Sequence, residues 1–224
     1  MPNNNFCFLY NLQGLSTSFT MKIKSIFCLV IFTGIFSSLS YAQQEQRFEA
    51  GLLLGFNMSQ IDGDLLHGFN KLGLNTGIRA YARLDDRWKL SLDLLFMQQG
   101  SSRARFDDPA STFDKIALNF VEAPVLVHFT DWKIQATAGF SYGRLMNYEI
   151  TSFDGTDATD SYDLDPSIFS LVLGATYFFE DNLGINIHWS KWINNPLRSS
   201  STGVIGEGGK FIGRTITIRG IYLL

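Results

Sequence analysis

Between Tyr148 and Pro166 the chain places six carboxylates, Glu149, Asp154, Asp157, Asp160, Asp163 and Asp165. Asp154, Asp157, Asp160 and Asp163 recur at every third position, and closely spaced carboxylate oxygens are the donors that Ca²⁺ prefers. The spacing is not the Asp-x-Asp-x-Asp-Gly of an EF-hand loop, and the plainer reading is a solvated, self-repelling acidic loop that holds no metal. Histidine is scarce, with only His67, His128 and His188. None lies in a His-Glu-x-x-His or comparable ligand motif. Ser, His and Asp are all present, but no spacing ties a nucleophile to a base, so no catalytic set is assigned. No motif calls for a cofactor. The remaining candidates are charges set singly among apolar residues: Arg79, Arg83, Asp93, Glu122 and Arg219.

These charges must be positioned by extended chain. In Phe48–Met58 the residues Phe48, Ala50, Leu52, Leu54, Phe56 and Met58 alternate with Glu49, Gly51, Leu53, Gly55 and Asn57. Successive side chains of a strand point to opposite faces, so this segment has one apolar face and one small or polar face. The pattern returns along the chain and predicts eight strands: 47–61, 71–84, 88–100, 116–129, 133–146, 167–179, 183–193 and 211–224. They run about 11–15 residues, at or above the 9–11 that cross a bilayer at a tilt, whereas soluble strands usually have five or six. Three connections are very short, Asp85–Arg87, Thr130–Trp132 and Glu180–Asn182. They alternate with four longer ones at 62–70, 101–115, 147–166 and 194–210. Short periplasmic turns alternating with long external loops are the pattern of an outer membrane barrel. An even strand count leaves both termini at the periplasmic end. The expected fold is therefore all-β, an eight-stranded antiparallel up-and-down transmembrane β-barrel.

Alternation alone does not say which face is inside, since a lipocalin-type barrel also alternates. Here the polar face is rich in glycine and small residues and carries opposite charges able to pair within a narrow lumen. Arg79, Arg83, Asp93, Glu122 and Arg219 form the expected lumenal charge network, with Glu122 near Arg79 or Arg219. Aromatic residues gather toward strand ends on the apolar face, as at Phe48, Trp88, Phe129, Tyr142, Trp189 and Tyr222. Rings with an apolar body and a polar edge suit the membrane interfaces. Both observations put the apolar face against lipid. Pro124 lacks the donor a ladder needs, so it predicts a bulge in the fourth strand.

The N-terminal region has the three parts of a secretory signal peptide. Met21–Lys24 is a basic start, Ile26–Phe36 an apolar core, and Ser40–Ala42 a small-residue cleavage site. The expected division is a signal peptide at 21–42, preceded by an extension (1–20) not expected to be translated, and a barrel domain at 43–224. Both cysteines, Cys7 and Cys28, precede the cut, so the mature chain has no disulfide to staple it. Only Lys22 and Lys24 of the 18 Lys and Arg precede it, and none of the 21 Asp and Glu. The mature chain then carries 16 basic against 21 acidic residues, net −5, which gives no reason to propose nucleic acid as a partner.

Four segments carry a family resemblance: FEAGLLLGFNMSQIDGD, LSLDLLFMQQGSS, NFVEAPVLVHF and QATAGFSYGRLMN. In order they place Gln99-Gly100, Glu122-Ala123-Pro124 and Gly139-Phe140-Ser141-Tyr142-Gly143, and this order resembles the PorT-like outer membrane β-barrel family across 47–224. The resemblance implies an integral outer membrane barrel in lipid. For its namesake members it also implies assistance to a system that exports surface proteins. The chain departs from the usual barrel in ending on Leu224, where an aromatic residue is the ordinary insertion signal. The function expected is a non-enzymatic structural or accessory component of envelope assembly or surface-protein secretion, with secretion or envelope-assembly proteins as partners. The alternative is a surface-binding barrel whose external loops engage ions, polysaccharide or host ligands. Deleting 153–164 is expected to leave folding intact. An open pore is disfavoured, since eight strands enclose a lumen that side chains fill.

Overall fold

The computed structural model describes residues 47–104, 112–198, 201 and 210–224. The expected signal peptide and the N-terminal extension lie outside them, as do most of the Ser- and Gly-rich stretch 199–209 and the centre of the 101–115 loop. The strands are β1 (Phe48–Asp62), β2 (Lys71–Arg83), β3 (Trp88–Ser102), β4 (Phe113–Asp131), β5 (Ile134–Ser152), β6 (Ser167–Phe178), β7 (Leu183–Trp192) and β8 (Ile212–Leu223). Each pairs antiparallel with its sequence neighbour and β8 closes on β1, giving a closed eight-stranded up-and-down barrel. A 3-10 turn, Thr159–Ser161, sits in the connection after β5.

The strands are staggered. A cross-strand row that leaves β1 at Gln60 runs through Arg214, Lys191, Leu171, Phe140, Val125, Leu92 and Ala80 and returns to β1 at Ala50. That displacement of ten residues makes the strands tilt, and an eight-stranded barrel so closed has an interior just filled by side chains.

The apolar face is outside. Phe48 is 71% exposed, Leu54 65% and Phe140 63%. So many large apolar side chains turned outward together suit hydrocarbon as the solvent. Arg79, Asp93, Glu122 and Arg219 are turned inward and fully buried.

Beyond the membrane band the polarity inverts. At the loop end of β4 the inward residues are Phe113, Ile116, Leu118 and Phe120, all buried, while Lys115 and Asn119 face out. On β5 the outward residues Arg144, Asn147 and Glu149 are exposed while Ile150 is buried. In water a barrel must bury its apolar side chains, so the outer third follows the soluble rule and the middle follows the membrane rule. This is why β5 reaches Ser152, six residues past the expected Met146, and β4 starts at Phe113.

Pro124 makes no bulge. The β3–β4 ladder omits Asp93–Leu94 opposite Ala123–Pro124 and resumes in the same register, Leu92 with Val125 and Leu95 with Glu122. The missing donor interrupts the seam without displacing it. Two register shifts lie on the other side of β4: Asn119 meets Asn147 and Phe120 meets Leu145, leaving Met146 as the extra residue on β5, and Phe113 meets Ser152 and Lys115 meets Thr151, leaving Asp114 extra on β4.

Candidate functional site

Inward-facing side chains fill the lumen in layers. At the turn end Glu49 accepts from Arg83 at 2.8 Å and Lys89 at 2.6 Å. Arg83 thus pairs at the rim of the lumen, with its side chain 40% exposed.

The middle layer is built on β2 and β3, where Arg79 and Asp93 are register partners and so point to the same side. Arg79 holds Asp93 bidentately, Nε to Oδ1 at 2.7 Å and Nη2 to Oδ2 at 2.6 Å. Nη1 donates to the Tyr81 hydroxyl at 3.0 Å, which donates in turn to Gln135 Oε1 at 3.0 Å across the lumen. Two parallel charge-assisted bonds are the strong form of such a pair. No side-chain nitrogen or oxygen of Arg79, Tyr81, Asp93 or Gln135 is buried without a hydrogen-bond partner, as a buried charge requires.

A second buried cation, Arg219, has no carboxylate in contact. Its Nε and Nη2 donate to Asn186 Oδ1 at 3.1 and 2.9 Å, Nη1 donates to Asn75 Oδ1 at 3.2 Å, and Nη2 donates to His188 Nδ1 at 2.8 Å. Glu122 accepts from Gln99 Nε2 and Ser141 Oγ, both at 3.0 Å, and Gln99 Oε1 accepts from Trp192 Nε1 at 3.1 Å. Glu122 and Arg219 line the same cavity of about 20 Å³, room for one water. Neither makes an ion pair among the described residues. Neutral partners take the hydrogen-bonding positions of both: the register brings Gln99 and Ser141 within reach of Glu122.

One constellation was not foreseen. His128 is fully buried between Ser91 Oγ at 2.8 Å and Thr137 Oγ1 at 2.9 Å, and Ser91 donates to Asp93 Oδ1 at 3.2 Å. A serine, a histidine and an aspartate therefore do meet, although no spacing in the sequence ties them. Their order is wrong for nucleophilic catalysis: the carboxylate touches the serine and is committed to Arg79, while Thr137 takes the place beside the histidine. Ser91, Asp93 and His128 are each at most 1% exposed. The signal that would have found the trio is the β3–β4 register, Ser91 with Leu126 and Lys89 with His128, which sets His128 one inward step from Ser91 and which no single-strand pattern reveals.

The outer mouth is closed by apolar packing. Phe113, Tyr162 and Phe211 meet ring to ring at 5.3–6.5 Å, and Phe120 packs edge-on against Trp192 at 5.8 Å. Leu66, Leu164 and Ile61 complete the cluster. Tyr162 and Leu164 come from the acidic connection, so deletion of 153–164 would open this core; the expectation that folding survives it is withdrawn.

The loop carboxylates serve the loop itself. Asp154 accepts from Thr156 N at 3.0 Å and Oγ1 at 2.6 Å, Asp157 from Thr159 N at 2.9 Å, and Asp165 from Ser167 N at 2.8 Å. These bonds hold Asp154 and Asp157 below the usual carboxylate range. Asp163 lies 3.5 Å from Arg198. Asp154, Asp157, Asp160 and Asp163 do not converge: among the described residues no three His, Cys, Asp or Glu side chains are placed to hold a metal ion.

A closed barrel with lipid-facing apolar strands, a packed lumen and a soluble-type outer crown defines the class of integral outer membrane β-barrels. The chain belongs to the outer membrane protein beta-barrel domain family, whose model matches residues 28–203. No curated protein matches. Among solved structures it is similar to Ail, the attachment invasion locus protein of Yersinia pestis, with 12% identity over 79% of this chain and 98% of that one and a TM-score of 0.46. It is also similar to Neisserial surface protein A, with 11% identity over 78% and 96% and a TM-score of 0.46. A third is OprG from Pseudomonas aeruginosa, with 13% identity over 79% and 96% and a TM-score of 0.40. Nothing about function follows from likenesses this distant.

Proposed function

We propose that this chain is a PorT-like, non-enzymatic barrel that serves envelope assembly or surface-protein secretion as a structural or accessory component. Its termini lie in the periplasm after removal of a signal peptide at 21–42, and it meets its partners through the crown at the loop end. The observation that carries this reading is the closed outer mouth. The Phe113–Tyr162–Phe211 cluster stops the lumen and at the same time braces the connections above it. Among the described residues the lumenal polar groups are committed to one another and the apolar cluster lies above them, which turns attention to the outer surface as the working part. The crown is a built surface, with β4 and β5 each 19 residues long.

The test compares exported and surface-exposed proteins between a parent strain and a clean deletion of this gene. Accumulation of normally exported proteins in the periplasm, reversed by the wild-type gene, is the expected result. An unchanged exported set would turn the reading toward the surface-binding alternative, whose supporting observation is the exposed acidic tip of Asp154, Asp157 and Asp160.

A further inference from the structure

Lys191 on β7 and Arg214 on β8 are direct register partners, so both side chains leave the same outward face side by side. Like charges opposite one another in a ladder are destabilising unless something lies between them. Arg214 shares one edge with Asp62, Nη2 to Oδ2 at 2.6 Å. Lys191 has no hydrogen-bond or ion-pair partner among the described residues. The surroundings are apolar. In the row below stand Trp189 and Ile216, and beside Lys191 stands Leu171 on β6. In the row above, Ile193 and Ile212 continue the outward face, with Ile193 60% exposed. Leu171, Lys191, Trp192, Ile193 and Ile212 line an open groove of about 340 Å³ on the outer wall.

The height of this pair decides its chemistry. The outward apolar run of β7 rises from Leu183 through Ile185 and Ile187 to Trp189, an interfacial type of residue, and that of β8 rises from Tyr222 to Ile216. Lys191 and Arg214 come next, at the upper edge of the lipid band on the loop side. A cation there meets lipid headgroups, and two adjacent cations above the apolar wall of Trp189 and Ile216 suit a phosphate whose acyl chain runs down that wall.

We propose that Lys191 and Arg214 form a binding site for a phosphate-bearing lipid of the leaflet at the loop end. The phosphate bridges the two side chains and an acyl chain runs down the wall past Trp189 and Ile216. The inference rests on the membrane placement of the barrel and not on its role in secretion or binding.

The test uses the full mature chain reconstituted in phosphatidylcholine vesicles containing a minor share of phosphatidic acid, with retained lipid counted by native mass spectrometry after mild detergent release. Wild type is expected to keep phosphatidic acid over phosphatidylcholine by roughly tenfold or more, the effect of two basic groups acting on one phosphate. The K191Q/R214Q variant is expected to lose that preference and K191R to keep it. Since R214Q also frees Asp62, K191Q alone, which breaks no contact, must lower the preference by itself. Equal retention of the two lipids by wild type, or an undiminished preference in K191Q and the double variant, would overturn the proposal. Displacement of phosphatidic acid by inorganic phosphate alone would make this a free-anion site and overturn the lipid assignment.

Discussion

Arg79 and Arg219 are buried cations in the same lumen, solved in opposite ways. Arg79 has a bidentate carboxylate; Arg219 has two asparagines and a histidine. Removing the carboxylate on Arg79 leaves a desolvated guanidinium, so Asp93→Ala should lower unfolding stability by about 3–5 kcal/mol. Urea unfolding in lipid vesicles reads this, and a change below about 0.5 kcal/mol would contradict it. Glu122 behaves differently because its partners are neutral. Glu122→Gln keeps an acceptor for Gln99 and should stay within about 1 kcal/mol of wild type. Glu122→Ala strands Gln99 and Ser141 and should cost about 1–3 kcal/mol for each group left unpaired. A Glu122→Gln loss as large as that of Glu122→Ala would mean the negative charge, acting on Arg219 across the cavity, matters more than the hydrogen bonds. The inward direction of these residues was legible in the sequence because parity along a strand sets the face. Their partners were not, because register between strands decides whether Glu122 meets an arginine or Gln99, and eight separate alternations contain no register.

Strand existence and the turn–loop asymmetry were legible element by element, since each apolar face is long and faces lipid throughout. The extensions of β4 and β5 were not, because an apolar-out pattern ends at Tyr142 and an apolar-in pattern replaces it at Ile150. A reading tuned to one solvent stops where the solvent changes. Small inward residues also set how tightly neighbouring strands can turn. A Cβ on Gly77 would sit inside contact distance of the Leu94 carbonyl oxygen and of the Leu95 side chain on β3. Gly220 is the contrasting case: it faces outward, and a Cβ there meets nothing nearer than the Leu54 carbonyl oxygen at 3.7 Å. Gly77→Ala should therefore destabilise the barrel by about 1–3 kcal/mol, the usual cost of overpacking. Gly220→Ala should be neutral or gain up to about 1 kcal/mol by stiffening the unfolded chain. Side-by-side unfolding of the two variants checks the order, and a Gly220→Ala loss equal to that of Gly77→Ala would show that backbone freedom, not space, is what these positions need.

At the scale of the whole molecule the lumen has two seals in series. The membrane-level seal is polar, made by Arg79, Asp93, Tyr81 and Gln135 spanning the bore. The outer seal is apolar, made by Phe113, Tyr162 and Phe211 above the lipid band. They rest on different physics, one on paired charge and the other on exclusion of water, so loss of one leaves the other standing. The barrel reconstituted in a planar bilayer should show no steady conductance, and Tyr162→Ala with Phe211→Ala should leave it closed while lowering thermal stability by the cavity those rings vacate. Only a variant that also removes Tyr81 and Gln135, the residues that carry the polar seal across the bore, should pass ions. Steady channels in the wild-type protein would refute both seals. Channels in the Tyr162/Phe211 variant alone would reduce the polar layer to a lining and make the aromatic cap the sole plug. That outcome would move the working part of the protein from the outside of its crown to the passage beneath it.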